Sequence, residues 1–164
     1  MMLQVFRYVV VMNKPVVLVH GAWHGPWCWE RVTPYLDAAN IHWVAPDLPS
    51  VVNASTGANQ TEDNAAVRDA LDGLPGSENA ILLGHSRGGT VITEAGTHDR
   101  VGHLVYLTAF LGLENEDTTP YRSDDLNQCL EVQDDGTITV KPELGKAVFY
   151  NEHDEHDFGW AAQQ

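Results

Sequence analysis

The chain has 164 residues, 23 acidic against 9 basic side chains for a formal charge of -14, and 43% apolar residues. That length and composition describe one globular domain with its own core, and no stretch approaches the ~20 continuous apolar residues that a membrane span needs. So large an acidic excess excludes the basic stripe on which nucleic-acid binding depends, and Cys28 and Cys129 are too few for a disulfide-stapled scaffold.

The N-terminal stretch MMLQVFRYVVVM is apolar but is broken by Gln4 and Arg7, and it has neither a basic n-region nor a small-residue cleavage site. No signal peptide is read, and a cytoplasmic location is expected. Residues 1–11 form either an extension or an extra edge strand, with Met12 a second plausible start. Residues 15–20 (PVVLVH), rich in β-branched side chains, predict a buried strand. A helix fits residues 26–39, where Trp29, Val32, Leu36 and Ala39 recur at helical spacing. Residues 41–45 (IHWVA) predict a second strand closed by Pro46, and the Ser, Asn, Thr and Gly content of residues 50–60 predicts a loop. Thr61 with Asn64 predicts a capped helix through residues 65–71, ending at Gly73. Residues 80–84 (AILLG) read as a third strand, 88–98 as a helix and 103–111 (HLVYLTAFL) as a fourth strand. Continuous apolar strands separated by helices predict the α/β class, a three-layer sandwich around a mostly parallel sheet.

From Gly112 onward acids gather, opposed only by Arg122, Lys141 and Lys146. Residues 112–164 are therefore read as a separate acidic layer over a core of residues 12–111. Within it, residues 130–132 and 137–140 flank Asp135-Gly136, a hairpin turn signal, and residues 145–164 are helical in patches.

The chemistry concentrates at Gly84-His85-Ser86-Arg87-Gly88-Gly89, a G-x-S-x-G pattern between a predicted strand and a predicted helix. Such a turn needs small residues at Gly84 and Gly88, and it holds the Ser86 hydroxyl above the strand end, where the free N–H groups of the next helix also point. The bland alternative is a chance Gly-Ser turn. His85 beside it is expected to point away and pack. The second constellation, His20-Gly21-Ala22-Trp23-His24-Gly25, follows the first strand, and a Gly-rich loop there can aim a backbone N–H at a developing oxyanion. His20 and His24 are expected to hydrogen-bond to backbone within it.

Together these segments resemble the α/β-hydrolase fold, and VLVHGAWHGPWCW with LLGHSRGG resemble its small methylesterase and hydroxynitrile-lyase-like branch. The resemblance is close over residues 15–111 and loose beyond. It implies a hydrolase of small esters working without a cofactor. Ser86 would be the nucleophile, the N–H groups of Ala22 and Arg87 the oxyanion hole, and Gly84, Gly88, His20 and Gly21 the supports of turn and loop. Trp23 is read as pocket lining, whereas Trp27, Trp29 and Trp43 are read as core.

In this fold the acid and the His of the triad follow the serine. His98 lies about 18 Å along a helix from Ser86, and His103 opens a strand, whereas sites of open α/β sheets sit at strand carboxyl ends. Asp117, His153 and His156, the last two in what resembles the family's lid, remain the candidates. Family members carry two more strands, bearing the acid and the His, so the fold is expected to be C-terminally incomplete, its N-terminal two-thirds only. No spacing resembles a metal site, although His153-x-x-His156 among acids can catch an ion adventitiously. Three readings stand side by side: a serine ester hydrolase acting through Ser86, a non-catalytic binding module, and a truncated inactive product. A fourth strand left at the sheet edge would drive self-association or aggregation.

Overall fold

In the computed structural model, which describes residues 14–52, 57–112 and 122–164, the apolar run Val16–Val19 forms β1 and all four of its side chains are buried. Trp43–Val44 (β2), Ala80–His85 (β3) and Val101–Leu107 (β4) join it in a four-stranded sheet of order β2-β1-β3-β4, every pairing parallel. Strand periodicity sends alternate residues to opposite faces. Val17, Val19, Ala80 and Leu82 meet Val67 and Leu71 of α3 (Gln60–Asp72) and Val91, Ile92 and Ala95 of α4 (Gly88–Ala95). Val16 and Leu18 face the other way, onto Trp29 and Leu36. The sheet is thus covered on both faces, which is why its inner strands carry almost no polar residue. Each fully buried aliphatic side chain of this kind contributes about 1.5 to 3 kcal/mol.

Several predicted elements are reshaped. The helix expected over residues 26–39 divides into a 3₁₀ turn, Pro26–Trp29, and a short helix α1, Thr33–Ala38. Pro34 is the cause: it has no N–H to donate and its ring blocks the preceding turn, so it is accommodated only in the first turn of a new helix. The second strand keeps only Trp43 and Val44, the two residues that pair with β1. Part of the expected loop is helical, as α2, Pro49–Val52. The cap of α3 is Asn59 rather than Thr61 with Asn64. Asn59 accepts from the Thr61 N–H at 2.8 Å while Glu62 accepts from the Asn59 N–H at 2.8 Å, a capping box that starts before Thr61. Asn64 instead donates to Glu94 on α4.

The fourth strand starts at Val101 and stops at Leu107, and it forms the sheet edge among the described residues, leaving Leu104, Val105 and Leu107 exposed. Beyond it lies α5 (Asp124–Cys129), which the sequence reading did not anticipate although Ser123 caps it. Then comes the hairpin of β5 (Leu130–Val132) and β6 (Ile138–Val140). Its turn works because Gly136 adopts φ +82°, open to glycine at little cost. Helices α6 (Pro142–Phe149) and α7 (Glu155–Ala161) follow. Among the described residues no helix is long and apolar enough to cross a membrane. Residues 1–11 and Asp117 lie outside the described residues.

Candidate functional site

Because β1 pairs with β2 on one side and β3 on the other, the chain leaves β1 and β3 toward opposite edges and opens a crevice at their carboxyl ends. The loop after β1 and the turn after β3 meet there: a Cβ built on Gly21 would lie 2.9 Å from the Ser86 Cβ. Ser86 adopts φ +53°, a region costly for a residue with a side chain. The surroundings hold it there. Its carbonyl accepts from the N–H groups of Gly89 and Phe110, both at 3.0 Å. A Cβ at Gly84 would meet the Gly88 carbonyl at 2.6 Å, and one at Gly88 would meet the carbonyls of His20 and Val19 at 2.6 and 2.7 Å. The glycines are therefore demanded by close backbone approach between β1, β3 and α4. Arg87 stands at the head of α4, and among the described residues neither its N–H nor that of Ala22 has a backbone acceptor.

His20 is fully buried behind the loop. The Leu48 N–H donates to its Nε2 at 3.2 Å, so the ring proton sits on Nδ1 and is donated to the Gly21 carbonyl at 2.9 Å. That carbonyl and the Ala22 N–H belong to one planar trans peptide, so holding the oxygen aims the N–H. Burial pushes the His20 pKa below the ordinary imidazole value, which keeps this tautomer uncharged. His24 holds the next peptide, its Nδ1 donating to the Ala22 carbonyl at 3.0 Å while its Nε2 accepts from the Tyr150 hydroxyl at 2.9 Å. The His85 ring packs edge-on against Trp29 with its Nδ1 3.4 Å from where a Gly21 Cβ would sit, its pKa lowered by burial and then by His24.

Sequence reasoning missed an ionic anchor beneath the turn. The fully buried Asp63 accepts from the Arg87 Nη2 at 2.7 Å, from the Ser50 N–H at 2.9 Å and from the Ser50 hydroxyl at 2.6 Å. It ties α2 and α3 to the residue after Ser86. The signal was available: Asp63, Val67 and Leu71 recur at i, i+4 and i+8 on the buried face of α3, and an acid on such a face needs a cationic partner.

A cavity of about 680 Å³ opens beside the loop, lined by Trp23 and Trp27 on one side and by Phe149, Tyr150 and Phe158 on the other. Trp23, at φ +59°, donates its indole N–H to the Ile138 carbonyl at 2.7 Å. Trp27, read as core, also lines this space and stacks edge-on against Trp160, whereas Trp29 is core. The C-terminal aromatics were missed because nothing in their spacing ties them to a loop more than a hundred residues away. His153 and His156 lie on the outer surface around Asp157, at 3.2 and 3.6 Å, and are not brought to Ser86. Asp157 also receives a two-pronged bond from Arg31, which with His153 holds its carboxyl well below the ordinary carboxylate range. Asp154, His156 and Asp157 are close enough to share an ion, but Arg31 already takes both oxygens of Asp157. Burial pushes the Cys28 thiol up to about 12, which makes it an inert packing residue.

Residues 16–163 match the alpha/beta hydrolase family. Among similar sequences, the pFDCC methylesterase of Arabidopsis thaliana is 33% identical over 114 residues, 66% of this chain and 44% of the relative. A carbendazim hydrolyzing esterase of Nocardioides is 40% identical over 103 residues, 58% of this chain and 41% of the relative. The chain thus spans less than half the length of these curated relatives. Among solved structures, a methylesterase from Arabidopsis superposes with a TM-score of 0.73 at 26% identity, covering 92% of this chain and 64% of that one. A match that runs from the first core strand through the last helix carries the conclusion: the chain belongs to the alpha/beta hydrolase family.

Proposed function

We propose that this chain carries the nucleophile of a carboxylic ester hydrolase that works by acyl transfer through Ser86. The observation that supports this best is the Ser86 backbone, held at φ +53° between β3 and α4 with Gly21 against it. Strain of that kind is retained where a side chain must be presented rather than packed. The Ser86 Oγ adds to the ester carbonyl carbon, and the charge that develops on the carbonyl oxygen falls to the N–H groups of Ala22 and Arg87, each worth about 3 kcal/mol in the transition state. Collapse expels the alcohol and leaves an acyl group on Ser86, which water removes. Because the similar sequences include methylesterases, a methyl ester or another ester of a small alcohol is the substrate class, and acyl transfer of this kind uses no cofactor.

A serine hydroxyl becomes a good nucleophile only when a base takes its proton. Among the described residues no imidazole hydrogen-bonds to Ser86. His20 commits its ring nitrogens to Gly21 and Leu48 and His24 to Ala22 and Tyr150, while His153 and His156 sit on Asp157. All eight His of the chain lie among the described residues, so we assign the base to a His that this 164-residue sequence does not carry, with Asp117 open as its acid. His153 or His156 would serve only by a folding-back of α7. A fluorophosphonate probe and p-nitrophenyl acetate test the reading, applied to this chain, to a version extended by homologous C-terminal strands, and to the Ser86→Ala variant of each. The extended form should label and turn over rapidly. The short chain should show at most the roughly 10³ to 10⁴-fold over water that an oxyanion hole and binding leave behind. Undiminished turnover in the extended Ser86→Ala variant would overturn the assignment, and a folded extended chain that never labels would favour a binding module.

A further inference from the structure

We propose that the 680 Å³ cavity is a preformed compartment for a flat, fused-ring aromatic molecule that carries no negative charge. Its walls come from three parts of the fold: Trp23 and Trp27 from the loop after β1, Asp47, Val51 and Val52 from the stretch after β2, and Phe149, Tyr150 and Phe158 from α6 and α7. Ser86 is not among the wall residues. The space lies over the carboxyl ends of β1 and β2, one to two strands from the end of β3, or about 5 to 10 Å from it.

Size and lining both suit a ring system of drug-like dimensions, since small-molecule sites of about 300 to 1,000 Å³ are lined mainly by apolar and aromatic groups. Of the polar atoms on the aromatic walls, only the Trp27 indole N–H has no partner among the described residues. The Trp23 indole N–H bonds to the Ile138 carbonyl, and the Tyr150 hydroxyl bonds to His24, whose other nitrogen bonds to Ala22. The walls therefore offer ring faces and few hydrogen bonds, which favours stacking. Among the described residues the only carboxylate in the lining is Asp47, and the chain carries a charge of -14. A ligand anion is disfavoured by Asp47 and the negative net charge, whereas a neutral or ammonium-bearing ring is accepted by the aromatic faces.

The compartment is also mechanically joined to the turn. Ser50, next to the wall residues Val51 and Val52, and Arg87, next to Ser86, are both held by Asp63. As the seat for the larger part of an ester, the compartment rests on the reading of Ser86 given above. As a binding site it is measured without turnover.

The test titrates the full chain with 2-naphthalenemethanol, 2-naphthylmethylamine and 2-naphthoate, following the indole N–H resonances of Trp23 and Trp27 by NMR and the heat by calorimetry. The neutral and cationic probes should bind saturably and shift both indoles, and naphthoate should bind at least ~10-fold more weakly. Val51→Trp should fill the space and cost at least ~10-fold in affinity at unchanged melting temperature. Val52→Trp, at a 46% exposed position, serves the same purpose should Val51→Trp fail to fold. Ser86→Ala should bind like the parent. No saturable shift, equal binding of naphthoate, or full affinity in a folded filled variant would overturn the compartment. Binding that persists when Ser86 of the folded, extended chain never labels would retire the hydrolase reading alone, and labelling of the extended chain without binding would retire the compartment alone.

Discussion

At the residue scale, the glycines divide by what surrounds them. Gly88→Ala drives a Cβ into the carbonyls of His20 and Val19 at 2.6 and 2.7 Å, where neither β1 nor α4 can move without breaking the sheet. The expected cost is about 3 kcal/mol or more, visible as a collapse of the melting temperature or of soluble yield. Gly159, inside α7 with nothing near its missing Cβ, should behave oppositely. Gly159→Ala should raise stability by about 0.5 to 1 kcal/mol in a denaturant titration. His20 adds a pH dependence. Its folded pKa is lowered, so as pH falls below about 6.5 the unfolded imidazole takes a proton first and stability is lost, by at most about 1.4 kcal/mol per pH unit for this group. His85 is shifted the same way. The melting temperature should therefore fall between pH 7.5 and 5, and His85→Phe, which keeps a ring against Trp29, should show a shallower fall. A flat profile for the parent chain would contradict both assignments.

At the element scale, local chemistry and long-range pairing carry different weights. Asn59→Ala removes the side-chain acceptor of the capping box and should cost about 1 kcal/mol, read from thermal unfolding. Asp63→Asn acts further. It strips the charge that faces Arg87 in a buried setting and loosens Ser50 with it, and the expected cost is about 3 kcal/mol, with Ser50→Ala much milder. Equal losses in the two variants would mean that Asp63 serves only α2. The strand β3 and the head of α4 were legible because an apolar run, a tight Gly-x-Ser-x-Gly turn and a helical pattern succeed one another without a gap. The single helix expected over residues 26–39 was not, because helical spacing of Trp29, Val32, Leu36 and Ala39 says nothing about the proline that interrupts it. The capping box of α3 lay ahead of the expected cap, at Asn59 rather than Thr61, since Asn, Thr and Glu there offer more than one register and only the finished backbone selects among them.

For the whole molecule, β4 is the edge from which self-association is expected. It lies at the edge of the sheet among the described residues, with Leu104, Val105 and Leu107 exposed at 38%, 39% and 44%, and no Asp, Glu, Lys or Arg lies within the strand. Such an edge is a template for pairing with a second copy. Light scattering on the isolated chain should report a mass that rises with concentration, and Val105→Lys should suppress the rise. A monodisperse monomer in both forms would argue that residues outside the described set cover the edge.

The sequence by itself determined the layer architecture, the position of the serine turn and of the Gly-rich loop after β1, and the hairpin at Asp135-Gly136, because each rests on neighbours within a few residues and on periodicity. Only the tertiary structure decided what each side chain near the site does. That His20 aims a peptide through Gly21, that Asp63 joins Ser50 to Arg87, and that Trp23 and Trp27 face Phe149 and Tyr150 across one cavity depend on contacts between segments far apart in the chain. Local propensity has no term for such pairings. They are set by how the strands order themselves in the sheet and by which buried polar groups can then find partners.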